Sequence, residues 1–349
     1  MTTIGADYSY AMPCNDRALA YWNERNYSAA DIRPVMIELE AQNLMAVALE
    51  FKENANMHCV LTQKYGERYQ TEGHLPAIVR IFSSIHKRTG GNTYRGWIVV
   101  WAEDQIWGEF PKYSERVPLF AFGRGVNDGV TFLMPDPPFI MTEGYAKERD
   151  EIAETWREYP WDRKLATVFW RGASSGYGFE LDIWREVQRM RLCLKSKEIG
   201  DLSRMDAAFS KLVPFSKPEF EKRILDLDVV RGPVPFRDFL KYRYQIDIDG
   251  FANAWTSCFL KLASHCLTLK VASDSMQWYY DRLRAWENYI PLGQDLADFD
   301  SVHAWLAKND SQAQTIAENA FKVMESITLE GATADLAQTL GEVLSRQNG

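Results

Sequence analysis

The chain has no apolar run of about 18 residues, the length needed to cross a bilayer, so no membrane-spanning helix is expected. Its five cysteines (Cys14, Cys59, Cys193, Cys258, Cys266) include no CxxC pair, and an odd number cannot all pair. They read as reduced, mostly buried thiols rather than a disulfide framework. Histidine is equally sparse. The five histidines are scattered without HxxxH or HExxH spacing, so a histidine zinc site is not expected. An excess of positive charge is missing as well: 48 acidic residues face 40 basic ones. A net charge of −8 argues against a general nucleic-acid binder, whose polyphosphate partner calls for a basic surface. Met1 to Arg17 is polar and lacks the apolar core of a leader peptide, which points to the cytoplasm.

Aromatic and apolar residues, by contrast, are plentiful. At 349 residues and 46% hydrophobic content the chain can bury a full core in each of two domains, and disorder is excluded. Short apolar runs at Trp97–Trp101, Val117–Phe122, Val130–Leu133, Ala166–Trp170, Tyr244–Ile248 and Leu267–Val271 lack strict alternation. Such runs suit strands covered on both faces, as in parallel sheets. A helix-length segment from Asn253 to Ser264 lies between the last two, which makes a βαβ unit. Near the C-terminus Ile316, Ala317, Ala320, Phe321 and Met324 share one helical face, capped at Asp310 or Ser311. Glu330–Thr333 is expected to break that helix, and Leu336, Leu340, Val343 and Leu344 form a second stripe. The fold class is therefore α/β. A charged helix is expected over Tyr145–Tyr159, with a border near residue 160.

Ligands of open parallel sheets bind at the carboxyl ends of the strands, so the residues after each strand are the candidates. Ala102, Glu103 and Asp104 follow one strand; Arg171, Gly172, Ala173, Ser174, Ser175 and Gly176 follow another. Asp249, Gly250 and Asn253 lead into the helix. A forked cation, glycines that allow close backbone approach and a helix N-terminus suit a phosphorylated ligand, though the same residues also make ordinary turns. Gly123–Gly129 misses the dinucleotide fingerprint, because its third glycine is one residue late and no helix follows. It reads as a hairpin-like loop. The pairs Asp226/Asp228 and Asp247/Asp249 have Asp-x-Asp spacing, which can hold a metal against a diphosphate but is common by chance. Trp101, Trp107 and Trp170 could stack on sugars, with core packing the plainer role for the first and last.

Three stretches carry a resemblance to a known family. The first is Phe169-Trp170-Arg171-Gly172-Ala173-Ser174-Ser175-Gly176. The second runs from Lys241 through Asp249-Gly250 and Asn253-Ala254-Trp255 to Lys261-Leu262. The third joins Leu269-Lys270-Val271-Ala272-Ser273, Gln277-Trp278-Tyr279-Tyr280 and Tyr289-Ile290-Pro291-Leu292, and Trp305–Ala320 adds to it. In this order they resemble glycosyltransferase family 90, its bacterial branch most. The resemblance implies a GT-B architecture: two Rossmann-like domains facing a cleft, with a C-terminal helix crossing back. It implies an acceptor domain over residues 1–160, a nucleotide-sugar domain over 161–325, and a final helix over 326–349.

The resemblance further implies an inverting, metal-independent transfer from a UDP-sugar to a glycan or glycolipid acceptor such as lipopolysaccharide or capsule, with no cofactor. Glucose or xylose is the expected sugar, and the inner membrane face is the expected meeting place. Arg171 and Gly172 carry over as diphosphate ligands, with Ser174 and Ser175 as hydroxyl donors. Asp249, Gly250, Asn253 and Trp255 carry over to the nucleotide loop. Eukaryotic members have an arginine after this loop, where this chain has Ser257-Cys258. Helix N–H groups, Ser257 and Lys261 are the substitutes, with Lys270 a weaker candidate. Asp104 carries over as the catalytic base and Glu103 is the runner-up, although Trp101-Ala102-Glu103-Asp104 departs from the eukaryotic Arg-Asp-Tyr-Pro.

Overall fold

A computed structural model describes residues 13–63 and 74–348, so most of the Met1–Arg17 stretch lies outside the described residues. By its contacts the chain divides into two units. The C-terminal unit holds residues 146–273 and 283–326. The N-terminal unit holds the described residues up to 145, then 274–282 and the chain from 327 onward. The helix Ala146–Thr155 clusters with the C-terminal unit, ahead of the border expected near residue 160.

The N-terminal unit is built on β1 Ala46–Phe51, β2 Met57–Leu61, β3 Gly96–Trp101, β4 Leu119–Ala121 and β5 Phe132–Leu133. Their order in the sheet is β2-β1-β3-β4-β5. Strands β3, β4 and β5 are parallel, whereas β1 runs antiparallel to both β2 and β3. This unit is therefore Rossmann-like only in its β3–β5 half. The cause is local. Asn54 and Ala55 both have φ of 59°, which turns the chain tightly, and a tight turn can join only antiparallel strands. Around the sheet lie α1 Asp16–Asn23, α2 Ala29–Ala41 and α3 His74–Arg88. In α3, Leu75, Ile78, Ile81, Phe82 and Ile85 form the buried stripe of an amphipathic helix.

The C-terminal unit is built on β6 Leu165–Ala173, β7 Met205–Lys211, β8 Tyr242–Asp247, β9 Leu267–Val271 and β10 Ile290–Leu292. All five strands are parallel, in the order β10-β9-β8-β6-β7. Helix α4 Gln188–Ile199 links β6 to β7 and ends at Gly200, whose φ of 66° favours glycine. Helix α5 Trp255–Leu262 links β8 to β9, and α6 Phe299–Lys308 and α7 Asp310–Ser326 follow β10. The chain goes to one side of β6 for β7 and to the other for β8. The carboxyl ends of β6 and β8 are thus a topological switch point, where doubly wound sheets open a crevice.

Two local expectations are corrected. Gly123–Gly125 is not in a hairpin but pairs antiparallel with Ser275–Gln277, which a window on local sequence cannot reveal. The break expected at Glu330–Thr333 after α7 comes earlier, and those residues lie in the first turns of α8 Leu329–Leu344. The break falls at Ile327–Thr328, because the Thr328 hydroxyl accepts a bond from the Gly331 amide at 3.0 Å and caps the new helix. Helix α8 belongs to the N-terminal unit. There the Tyr94 hydroxyl donates to the Ala337 carbonyl at 2.9 Å, and Gln347–Asn348 pairs with Tyr27–Ser28.

Candidate functional site

Arg171 lies at the end of β6, but its guanidinium is already engaged. Nη2 donates to both carboxylate oxygens of Asp206 on β7, at 2.7 and 2.8 Å, and Nη1 donates to the Trp170 and Asp206 carbonyls. The group also lies 4.7 Å from the centre of the Phe169 ring, which stacks on Tyr242 at 3.9 Å. Only 8% of the Arg171 side chain is exposed. The residue expected to face a diphosphate is instead a tie between two strands. Strand alternation turns it to the face shared with Phe169 and the neighbouring carboxylate. Gly172 has a packing reason: a Cβ there would stand 2.5 Å from the Trp170 indole. The Ser174 hydroxyl is buried and accepts from the Val213 amide at 2.9 Å.

The cation that does hold the switch point is Arg189, in the first turn of α4. It donates to the carbonyls of Ala173, Ile248 and Asp249 and to the Ser175 hydroxyl, over 2.6–3.1 Å. One guanidinium therefore pins the ends of both β6 and β8. Burial pulls its pKa down, and Asp249 and Asp247 push it back up. Gly250 is what lets this happen, since a Cβ there would stand 2.4 Å from the Ser175 hydroxyl oxygen and 3.0 Å from Arg189. Sequence reading missed Arg189, because it belongs to a helix well beyond β6 and no local motif marks it.

Beside it, the Asp249 carboxylate accepts from the Ser273 hydroxyl and from Asn253 Nδ2 at 3.1 Å, which joins the loops after β8 and β9. Burial raises the Asp249 pKa. Asp247 forms a buried ion pair with Lys270 at 2.8 Å. Burial would raise its pKa too, but the Lys270 and Lys261 cations hold it below the ordinary value. Lys261, on α5, is only 1% exposed and its ammonium has no hydrogen-bond partner among the described residues. Burial pushes its pKa down to about 8 against the pull of Asp247. The cluster thus holds Arg189, Lys261 and Lys270 against two carboxylates, a surplus of positive charge when all are ionised. The N-cap residue of α5, Ala254, makes no side-chain cap bond, and Trp255 and Ser257 sit half-buried in the first turn. That end offers its amides and positive dipole end.

In the N-terminal unit Glu103 and Asp104 follow β3. Glu103 accepts from the Met45 amide at 3.0 Å, which gives it a structural role. The Asp104 side chain is 52% exposed, and its Oδ1 lies 3.9 Å from Nε2 of His74, a neighbour not foreseen from sequence. His74 Nδ1 lies 2.7 Å from the Ala102 carbonyl and donates to it, which leaves Nε2 facing the carboxylate. Trp101 is fully buried and bonds the Gln105 carbonyl, Trp170 is in the core, and Trp107 is half-buried. All five cysteines are free. Asp226 and Asp228 pair with Lys222 and Arg231, and no metal-ligating group of three or more His, Cys, Asp or Glu occurs among the described residues. None of the described helices is long and apolar enough to cross a membrane.

Residues 105–331 match the model of glycosyl transferase family 90, and the chain belongs to that family. Asp104 stands just outside the match, while every candidate of the C-terminal unit stands inside it. Protein O-glucosyltransferase 3 of Rattus norvegicus is 32% identical over 158 residues, 45% of this chain and 27% of its own length. Protein O-glucosyltransferase 2 of Danio rerio is 30% identical over 225 residues, 60% of this chain and 40% of its own length. The matches therefore span well under two thirds of either relative. A solved glycosyltransferase from Rickettsia africae ESF-5 superposes with a TM-score of 0.40 at 10% identity, over 69% of this chain and 68% of that one.

Proposed function

We propose that this chain is an inverting glycosyltransferase that moves a sugar, glucose or xylose, from a UDP-sugar to an acceptor hydroxyl without a metal. One observation carries the reading. Inside the family match, the β6/β8 switch point combines the α5 N-terminus, whose N-cap Ala254 makes no side-chain cap bond, with the buried Lys261, which has no hydrogen-bond partner among the described residues. A diphosphate would add counter-charge to a cluster in which Arg189, Lys261 and Lys270 face only Asp247 and Asp249. In the GT-B division of labour the C-terminal unit holds the donor and the N-terminal unit supplies the base. Asp104 takes the proton of the acceptor hydroxyl, and the oxygen attacks the anomeric carbon opposite the departing UDP. One displacement needs one base, whereas retention through a covalent intermediate would also need a nucleophile. The α5 amides and Lys261 stabilise the charge that grows on the leaving diphosphate. His74 stands beside the Asp104 carboxylate, its Nε2 3.9 Å from Oδ1.

The acceptor in this reading is a glycan such as lipopolysaccharide or capsule, met at the inner membrane face. The names of the relatives, protein O-glucosyltransferases, point instead to a protein hydroxyl, so an acceptor screen must include both. The test is calorimetric titration of UDP and UDP-sugars with and without chelator, followed by transfer assays on Asp104→Asn. The expected result is UDP binding that survives chelator and transfer reduced by at least about a hundredfold in Asp104→Asn, which still binds UDP. Full activity in that variant would move the base elsewhere. UDP binding with no turnover on any acceptor would favour a sugar-nucleotide-binding role.

A further inference from the structure

The loops that leave the switch point carry two aromatic rings that the polar cluster does not use. Tyr177, on the loop after β6, is 69% exposed, and Phe251, on the loop after β8, is 38% exposed. Their rings pair at 5.1 Å with planes at 68°, an edge-to-face corner that leaves ring surface open to water. Tyr177 is set between Gly176, at φ +140°, and Gly178, at φ +104°, conformations that L side chains rarely adopt. A Cβ on Gly176 would meet the Gly250 carbonyl at 3.8 Å, so the two loops run side by side under the rings. Both rings adjoin the polar cluster in the chain. Ser175, bonded to Arg189, is two residues before Tyr177, and Gly250, packed on Arg189, directly precedes Phe251. Two residues of chain span at most about 7 Å.

We infer that Tyr177 and Phe251 form the stacking platform for the base of the nucleotide donor. The inference rests on the donor reading given above. A planar heterocycle laid on one ring, with its edge to the other, covers apolar surface that is otherwise wet, while its diphosphate lies on the cluster beneath. An anionic membrane is a poor occupant, because Glu180 and Asp182 alternate with the exposed Leu181 and Ile183 on the same loop. Sequence reading had no signal for this pair: each ring is an ordinary loop aromatic until the switch point brings the loops together.

The test titrates UDP, uridine and inorganic pyrophosphate into the full chain as wild type, Tyr177→Phe, Tyr177→Ala and Tyr177→Ala/Phe251→Ala. Melting temperatures check the fold, which exposed substitutions should leave intact. Base–aromatic stacking predicts a loss of UDP affinity of about tenfold or more in the alanine variants. Tyr177→Phe should keep the affinity, and pyrophosphate should bind all four alike. Unchanged UDP affinity in the double variant overturns the platform. So does a parallel loss of pyrophosphate, which would mark a general disturbance of the site. Wild type that binds pyrophosphate but neither UDP nor uridine overturns the platform and leaves the anion site standing. Wild type that binds none of the three overturns the donor reading and the platform with it.

Discussion

Arg171 and Lys261 exchange the roles that residue type alone suggests. The arginine is forked and permanently charged, yet both its Nη atoms are engaged, one of them by Asp206, and only its buried Nε has no partner among the described residues; the lysine is buried and has no hydrogen-bond partner among them. Arg171→Ala should therefore cost stability, roughly 2 kcal/mol, since Asp206 keeps a partly buried charge without its partner. UDP affinity of the folded protein should hardly change. Chemical denaturation beside calorimetry separates the two effects, and lost UDP binding at unchanged stability would return Arg171 to the diphosphate. Lys261 has a folded pKa of about 8, below its ordinary value. Between that value and about 10.4 the unfolded chain binds more protons, so this group's contribution to stability rises with pH; below about 8 its burial cost is fully present. Lys261→Met should raise stability at pH 7 by on the order of 2 kcal/mol and weaken UDP binding. Wild-type UDP affinity should fall as pH rises through about 8, and the fall should vanish in Lys261→Met. Calorimetry from pH 6.5 to about 9.5 covers the window.

At the scale of elements, the switch point is made by loops that touch through glycine. Gly250→Ala places a methyl 2.4 Å from Ser175 and 3.0 Å from Arg189. The crowding should cost about 1–3 kcal/mol and displace the Arg189 pin. UDP affinity should fall in step, measured by calorimetry beside a melting curve; normal affinity would show that Arg189 does not set the geometry of the site. The elements themselves were largely legible. Trp97–Trp101, Ala166–Trp170, Tyr244–Ile248 and Leu267–Val271 each fall on a strand, because a strand buried on both faces announces itself as an apolar run. Strand β7 was not, since Met205–Lys211 mixes Asp, Ser and Lys with small residues and its place is set by β6 beside it. The antiparallel pairing of β1 with β2 depended on a tight turn at Asn54 and Ala55 that no apolar pattern encodes.

At the scale of the whole molecule, α8 closes the N-terminal unit although it is last in the chain. Its buried Leu336, Leu340, Val343 and Leu344 contribute about 1.5–3 kcal/mol each, a sum comparable to the net stability of a domain. A chain ending at Ser326 should lose transfer activity and gain a melting transition at lower temperature, seen by calorimetry. An unchanged melting curve would show that α8 is dispensable. The sequence by itself determined the α/β class, the family, most strands, and the stretches in which the candidate residues lie. These are carried by residue type and spacing along the chain. Only the tertiary structure decided which cation Asp206 engages, at which glycine a Cβ would crowd Arg189, that Arg189 pins both strand ends, and that His74 stands beside Asp104. Each depends on which side chains meet across elements far apart in sequence, where a neighbour's carboxylate engages one cation and burial depresses the pKa of another.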